Sequence, residues 1–131
     1  MPVLPRARWA LLLAVALLPT GCGQTKAVRF PGSKVSLRLD EFRILPRKAS
    51  VRPGRIKIVA ADTGVLAHNL RVESFATGAS GSPKTIYGTT EMALPGQSVT
   101  LKLVLPAGRY RMVCTLSNHA ELGQIGTLTV Q

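Results

Sequence analysis

Residues 110 to 130, YRMVCTLSNHAELGQIGTLTV, constrain the fold of this chain more than any other segment. Apolar and β-branched residues lead into Cys114 and follow Gln124, and small or polar residues lie between them, so the pattern predicts two strands joined by a polar loop. Four residues separate Cys114 from His119, and four more separate His119 from Gln124. A loop that is held by a strand at each end can direct several side chains toward one point.

The body of the chain consists of short alternating runs separated by Pro and Gly turns. Residues 34–39 and 98–105 place apolar side chains at every second position, which is the period of a half-buried strand. Residues 49–51 and 55–60 flank a Pro-Gly turn at 52–54, which predicts a further strand pair. No long helical period is present. Several short strands with turn signals at this spacing predict an all-β fold, an antiparallel β-sandwich.

The N-terminal segment has the order of an export signal, with basic residues, an apolar run at 9–18 and small residues before Cys22. The apolar run is too short to span a bilayer. Its last residues, LPTGC, resemble the lipobox of bacterial lipoproteins, whose cysteine receives a lipid. We therefore predict a lipoprotein-type signal at 1–21, lipidation of Cys22, a tether at 22–33 and one domain at 34–131. The alternatives are a plain secretory signal cleaved nearby and a retained membrane anchor.

Lipidation of Cys22 would leave Cys114 as the only thiol in an oxidising compartment, without a disulfide partner. A disulfide between the two cysteines is the alternative. Removal of the signal also leaves neither the paired cysteines nor the core tryptophan of an immunoglobulin-type domain, which makes that domain a weaker candidate for the sandwich.

Cys114 and His119, together with His68, form a soft, nitrogen-rich ligand set. His68 is the only other histidine of the chain and lies in a strand-like run at 65–73. A thiolate with two imidazoles holds both Cu(I) and Cu(II), and a trigonal set with a weak axial ligand is the blue-copper geometry. Taken singly, His68 would be interpreted as a structural or surface histidine, Cys114 as a small buried core residue and Gln124 as a solvated turn residue. Taken together they favour one copper ion, because a structural zinc site requires a fourth firm ligand and the amide oxygen of Gln124 is a poor one.

The domain resembles a cupredoxin over residues 35 to 130. The resemblance is carried by AHNLRV at 67–72, by LPGQSVTLKLVLPAGRYRMVC, which ends at Cys114, and by GQIGTLTV near the C terminus. It implies a Greek-key β-sandwich with one type 1 copper, whose equatorial ligands are His68, Cys114 and His119. The axial position, commonly methionine, is Gln124. This is similar to the stellacyanin branch of plant phytocyanins, although those proteins usually carry a disulfide that this chain cannot make while Cys114 is engaged.

The resemblance also implies supporting contacts around the ligands. Asn69 is expected to bond across to the ligand loop near Thr115 and to fix the orientation of the cysteine; the alternative is an ordinary exposed asparagine. The backbone carbonyl of Ala67 is a possible weak contact to the metal. His119 is expected to have an exposed edge through which electrons enter.

Charge limits the classes of partner. Removing the two arginines of the signal from the 17 basic residues leaves 15, against six acidic residues, so the mature chain carries about +9. This charge favours anionic lipid head groups near the anchor or an acidic redox partner; the alternative is that it only keeps the domain soluble. Export and the scarcity of aromatic residues argue against nucleic acid.

These observations predict a monomeric one-electron carrier between membrane-associated redox partners. We expect it on the outer face of a bacterial cytoplasmic membrane. If no lipid is attached, we expect it in the periplasm or secreted. The sequence shows no nucleophile-base-acid set or cofactor loop, so we do not expect an enzyme. The alternatives are copper storage or delivery to an exported cuproenzyme and, from a third class, a metal-free adhesion sandwich. Residues 74–90 predict a surface loop with a short strand at Ile86-Tyr87, and we assign it no chemistry.

Overall fold

The computed structural model describes Met1 and residues 25–75 and 85–131. The rest of the predicted export signal after Met1, and Cys22, lie outside these residues. No helix in the described part of the chain is long and apolar enough to cross a membrane. The described residues form strands β1 (Val28–Arg29), β2 (Lys34–Asp40), β3 (Arg43–Leu45), β4 (Lys48–Val51), β5 (Gly54–Asp62), β6 (Arg71–Ser74), β7 (Ile86–Thr89), β8 (Ser98–Leu105), β9 (Gly108–Val113) and β10 (Ile125–Val130).

The strands form two sheets that share one apolar core. One sheet has the order β1-β4-β10-β9-β6-β7 and the other has the order β3-β2-β5-β8. Leu39 and Ile58 of the second sheet belong to the same buried cluster as Met112 and Leu128 of the first. Burying each such side chain contributes about 1.5–3 kcal/mol. The predicted all-β sandwich is therefore confirmed.

Alternation of side chains explains which face of each strand is buried. In β2, Val35, Leu37 and Leu39 are buried, whereas Lys34, Ser36 and Arg38 between them are exposed. In β8, Leu101, Leu103 and Leu105 are buried and the residues between them are exposed. A period of two residues places successive side chains on opposite faces, so these strands can only turn their apolar side inward.

The pairing of the strands differs from the purely antiparallel arrangement that the sequence predicts. β2 pairs with β5 in parallel, and β4 pairs in parallel with both β1 and β10. The predicted strand pair around the turn at 52–54 is also wrong, because β4 and β5 belong to different sheets. Gly54 has a φ of 116°, a conformation that suits glycine, at the point where the chain crosses between them.

The described part of the predicted tether already contacts the sandwich. Val28 and Arg29 pair with Ala49 and Ser50 of β4. The N–H of Phe30 donates to the carbonyl of Ser50 at 2.8 Å.

Several loops meet at one end of the sandwich, which we call the loop end. It comprises residues 40–42, 62–70, 90–97 and 114–124. The register Leu39↔Asp62 and Ala61↔Ser98 brings the end of β2, the end of β5 and the start of β8 to this end. Gln124 joins the loop between β9 and β10 to it, since its side chain donates to the carbonyl of Asp40 at 3.0 Å.

Candidate metal centre

Three of the four predicted ligands lie together at the loop end. The ligand atoms of His68, Cys114 and His119 are all within 4.8 Å of one another. The cysteine Sγ is 3.5 Å from Nδ1 of His119. His68 and Cys114 are fully buried, and His119 is 8% exposed. This is a compact thiol and imidazole cluster that can hold a metal ion.

His68 enters the cluster from a segment between β5 and β6. Its backbone N–H donates to the carbonyl of Ala93 at 3.0 Å, and the Ala93 N–H donates back at 2.8 Å. Neither ring nitrogen of His68 has a hydrogen-bond partner, although both are buried. Leaving a buried polar group unpaired costs free energy. A metal ion bound at one nitrogen would remove part of that cost.

The loop between β9 and β10 supplies the other side chains and is fixed by its own backbone. The N–H of Cys114 donates to the carbonyl of Gln124 at 3.1 Å, and the N–H of Gln124 donates to the carbonyl of His119 at 3.0 Å. Ser117 and Gly123 have φ values of 45° and 112°, which allow the chain to reverse within a few residues. The predicted strand-loop-strand arrangement is present.

Gln124 is fully buried, so it is not a solvated turn residue. Its Nε2 donates to the carbonyls of Asp40 at 3.0 Å and Arg43 at 3.4 Å. Because both partners are acceptors, the amide must present its NH₂ group to them, and this fixes the position of the oxygen. That oxygen, Oε1, is buried and has no hydrogen-bond partner. It is therefore available as a ligand atom.

Asn69 joins the two segments that carry His68 and Cys114. The N–H of Thr115 donates to Asn69 Oδ1 at 2.8 Å, and Asn69 Nδ2 donates to Thr115 Oγ1 at 2.8 Å. Asn69 is buried rather than exposed. Each bonded residue directly follows a cluster residue, so the pair limits movement of both ligand segments. Ala67 directly precedes His68, and a contact from its carbonyl to a metal stays a prediction.

Two residues of the turn between β2 and β3, Glu41 and Phe42, also contact the cluster, and the sequence pattern does not predict them. Phe42 packs edge-on against His119 with ring centroids 5.3 Å apart, from a backbone with a φ of 59°. Glu41 places Oε1 3.5 Å from His68 Nε2, which is an ion-pair distance rather than a hydrogen bond. The alternating pattern of residues 34–39 slips in phase at Asp40-Glu41, and this is the one sequence signal of the turn.

The Glu41 carboxylate is bound by backbone amides. The N–H of Val65 donates to Oε1 at 2.7 Å, and the N–H of Leu66 donates to the same atom at 2.9 Å. These two hydrogen bonds, with that from Leu66 the larger contribution and that from Val65 the next, lower the pKa of Glu41 to about 2. The side chain therefore carries a negative charge at neutral pH.

No family model and no curated protein matches this sequence. Solved structures of auracyanins do match it. Dithionite-reduced auracyanin from Roseiflexus castenholzii has a TM-score of 0.67 and 20% identity, covering 78% of this chain and 99% of that one. Auracyanin B has a TM-score of 0.64 and 18% identity, covering 78% and 91%. Auracyanin A of Chloroflexus aurantiacus, described as a "blue" copper protein, has a TM-score of 0.61 and 18% identity, covering 75% and 99%.

These matches define the class of fold. The chain has the cupredoxin-like β-sandwich of the auracyanins, as the sequence resemblance predicted.

Proposed function

We propose that this chain is a type 1 copper-binding protein that carries single electrons between redox partners. The observation that carries the proposal is the buried cluster of His68, Cys114 and His119, with ligand atoms within 4.8 Å of one another. The description of auracyanin A, a protein of the same fold, as a blue copper protein supports it. Bound copper would supply a one-electron Cu(II)/Cu(I) couple.

The residues of the site fit copper better than zinc. His68, Cys114 and His119 would be the three equatorial ligands, and Gln124 Oε1, which is buried and unpartnered, would be the axial one. A thiolate with two imidazoles and one weaker donor is the set that copper takes in electron-transfer sites. Structural zinc favours four firm ligands, and an amide oxygen is not one of them.

The surface around the cluster suits a partner that docks briefly. His119 is the only one of the three equatorial residues with an exposed edge. Exposed apolar side chains lie at the same end of the sandwich, namely Val65, Leu66, Met92, Leu94 and Leu122. An apolar patch of this kind excludes water when a partner docks. We place electron entry and exit at His119.

Copper storage or delivery is the second candidate, and the site favours it less. Its residues are buried and held by the bonds of Asn69, Thr115 and Gln124, whereas delivery requires ligands that open. Two measurements separate the carrier from the delivery protein. One is the rate of reduction by a quinol or cytochrome in stopped flow, and the other is the rate at which copper transfers to a chelating acceptor. Electron transfer without loss of copper supports the carrier, and rapid copper release supports delivery.

Copper loading tests the proposed site. Cu(II) added to the purified copper-free protein is expected to produce an intense visible band and an electron paramagnetic resonance spectrum with small copper hyperfine splitting, because the thiolate shares the unpaired electron. One equivalent should saturate both signals, since one cluster is present in the described residues. A colourless product with the spectrum of ordinary hydrated or amide-bound copper would refute the assignment.

Charge is distributed unevenly over the domain, and this supports a membrane location for the outer face of the β2-β5-β8 sheet. Five of the six acidic residues belong to the loop end, and Glu73 is paired with Arg111 at 3.1 Å. On the outer face of the β2-β5-β8 sheet, Lys34, Lys57 and Lys102 are exposed and lie side by side in register. Like charges placed opposite one another on a sheet repel. An anionic surface against this lysine row would relieve that repulsion.

We therefore propose that the protein is exported and held at the outer face of a bacterial cytoplasmic membrane, with the lysine row toward anionic lipid and the loop end toward redox partners. A chain from residue 25 onward is expected to sediment with phosphatidylglycerol vesicles at low salt and not with phosphatidylcholine vesicles. Replacing the three lysines by glutamine should weaken binding by roughly two orders of magnitude, at about 1 kcal/mol per lysine.

Three arginines nearer the loop end provide the matched control for charge, namely Arg43, Arg47 and Arg71. Replacing them by glutamine removes the same charge and should weaken vesicle binding much less. Equal losses in the two triple variants would show that net charge alone, rather than the lysine row, determines binding.

A further inference from the structure

We infer that Glu41 is a positioning residue for His68, holding the segment that leads to this ligand and keeping a negative charge against its ring. The inference rests on the proposed function in treating His68 as a copper ligand. It is carried by three observations: the two backbone N–H groups that Glu41 binds, the space that Gly64 leaves for its carboxylate, and the approach of that carboxylate to His68 Nε2.

The first observation concerns the anchoring of the segment before the ligand. Val65 and Leu66 precede His68 closely and have exposed side chains, so apolar packing does little to hold them. Their N–H groups converge on one oxygen of Glu41, at 2.7 Å and 2.9 Å. Hydrogen bonds to a charged acceptor are stronger than those between neutral groups. Glu41 therefore fixes the backbone from which His68 enters the cluster.

The second observation is the absence of a side chain at position 64. A Cβ built on Gly64 would overlap the carboxylate of Glu41. Any larger residue would displace either the carboxylate or the segment that it binds. Glycine at this position thus allows the carboxylate to approach the backbone of the His68 segment closely.

The third observation concerns the ring itself. Glu41 Oε1 lies 3.5 Å from His68 Nε2, and neither ring nitrogen has a hydrogen-bond partner. A carboxylate near Nε2 favours the tautomer that carries its hydrogen there, which leaves the Nδ1 lone pair free for a metal. The same negative charge stabilises the more positive oxidation state of a nearby ion. Glu41 should therefore lower the reduction potential of the site.

The test uses the full chain and three variants. Glu41→Gln keeps an oxygen that can accept the two backbone hydrogen bonds but removes the charge, and Glu41→Ala removes both. Glu91→Gln is the matched control, because Glu91 is an exposed carboxylate of the loop end outside these contacts. In copper-free protein, nuclear magnetic resonance should show hydrogen on Nε2 of His68 and slow exchange of the Val65 and Leu66 amides. Glu41→Ala should lose both features, and Glu41→Gln should keep the slow exchange.

In copper-loaded protein, Glu41→Gln should shift the ratio of reduced to oxidised protein at a fixed solution potential about threefold to tenfold toward the reduced form. A tenfold shift equals about 59 mV for a one-electron couple. Glu91→Gln should shift the ratio much less. Equal shifts in these two variants, or a His68 tautomer and amide exchange that do not change in Glu41→Ala, would overturn the inference. A wild type that develops no copper-thiolate band refutes the proposed function instead, and the copper-free measurements still decide the role of Glu41.

Discussion

Replacing Cys114 with serine is expected to abolish the intense visible band of the copper-loaded protein and to weaken copper binding by more than about 100-fold. Loss of a residue that only supports a ligand weakens metal binding by up to about 100-fold, and loss of a ligand itself should weaken it more. Cys114 is fully buried and its Sγ lies 3.5 Å from His119 Nδ1. A hydroxyl in its place is a far poorer ligand for a soft metal ion. Visible absorption and electron paramagnetic resonance of the two loaded proteins provide the measurement.

Met112→Leu is the matched control for this variant. Met112 is a buried sulfur-containing residue of β9, two positions before Cys114, and it belongs to the apolar core rather than to the cluster. A volume-conserving exchange of this kind usually costs less than about 1.5 kcal/mol. The control should keep its colour. A Cys114→Ser protein that keeps the full band would refute the thiolate assignment, provided that circular dichroism shows both variants folded.

Replacing Gln124 with methionine is expected to raise the reduction potential of the copper site and to destabilise the copper-free protein. A thioether favours Cu(I) more than an amide oxygen does. The expected change in the ratio of reduced to oxidised protein is at least tenfold, or about 59 mV for each tenfold step. The variant also loses the bonds from Nε2 to the carbonyls of Asp40 and Arg43, at a cost of about 1–3 kcal/mol.

Redox titration and thermal unfolding measure these two effects separately. Gln131→Met is the control for the exchange of residue type, because Gln131 is an exposed residue at the end of the chain. It should leave the potential unchanged. A Gln124→Met protein with an unchanged or lower potential would contradict the axial role of Gln124, even if its melting temperature falls as expected.

The parts of the site that the sequence predicts are those encoded by local spacing. Cys114, His119 and Gln124 lie on one loop between two strands, so a short segment is enough to bring them near one another. The position of His68 is harder to predict from local spacing, because it depends on the backbone pairing of His68 with Ala93. The sequence still indicates His68, because the chain has only two histidines and one cysteine besides Cys22, and a thiolate with two imidazoles is a copper ligand set.

Features that depend on distant contacts could not be predicted. Alternation shows which face of a strand is buried but not which strand lies beside it, so it does not predict the parallel pairing of β4 with β10. No spacing or motif in the sequence links Glu41 to the site, since its binding of Val65 and Leu66 joins positions far apart in the chain. The burial of Gln124 could not be predicted either, because its side chain bonds to the carbonyls of Asp40 and Arg43 in a distant segment.

The parallel pairing of β10 with β4 also determines when the ligand set of a newly made chain is complete. Residues 127–130 pair with residues 48–51, and Gln124 bonds to Asp40, so the final strand must join segments made near the start of the domain. Contacts of such long sequence separation form slowly, on the scale of milliseconds to seconds for β-rich domains. Under the export proposed above, a chain still threading through an export channel would lack the assembled ligand set, because unfolded segments rarely provide a preformed metal site. The ions present where β10 joins β4 would then be the ones that compete for the site.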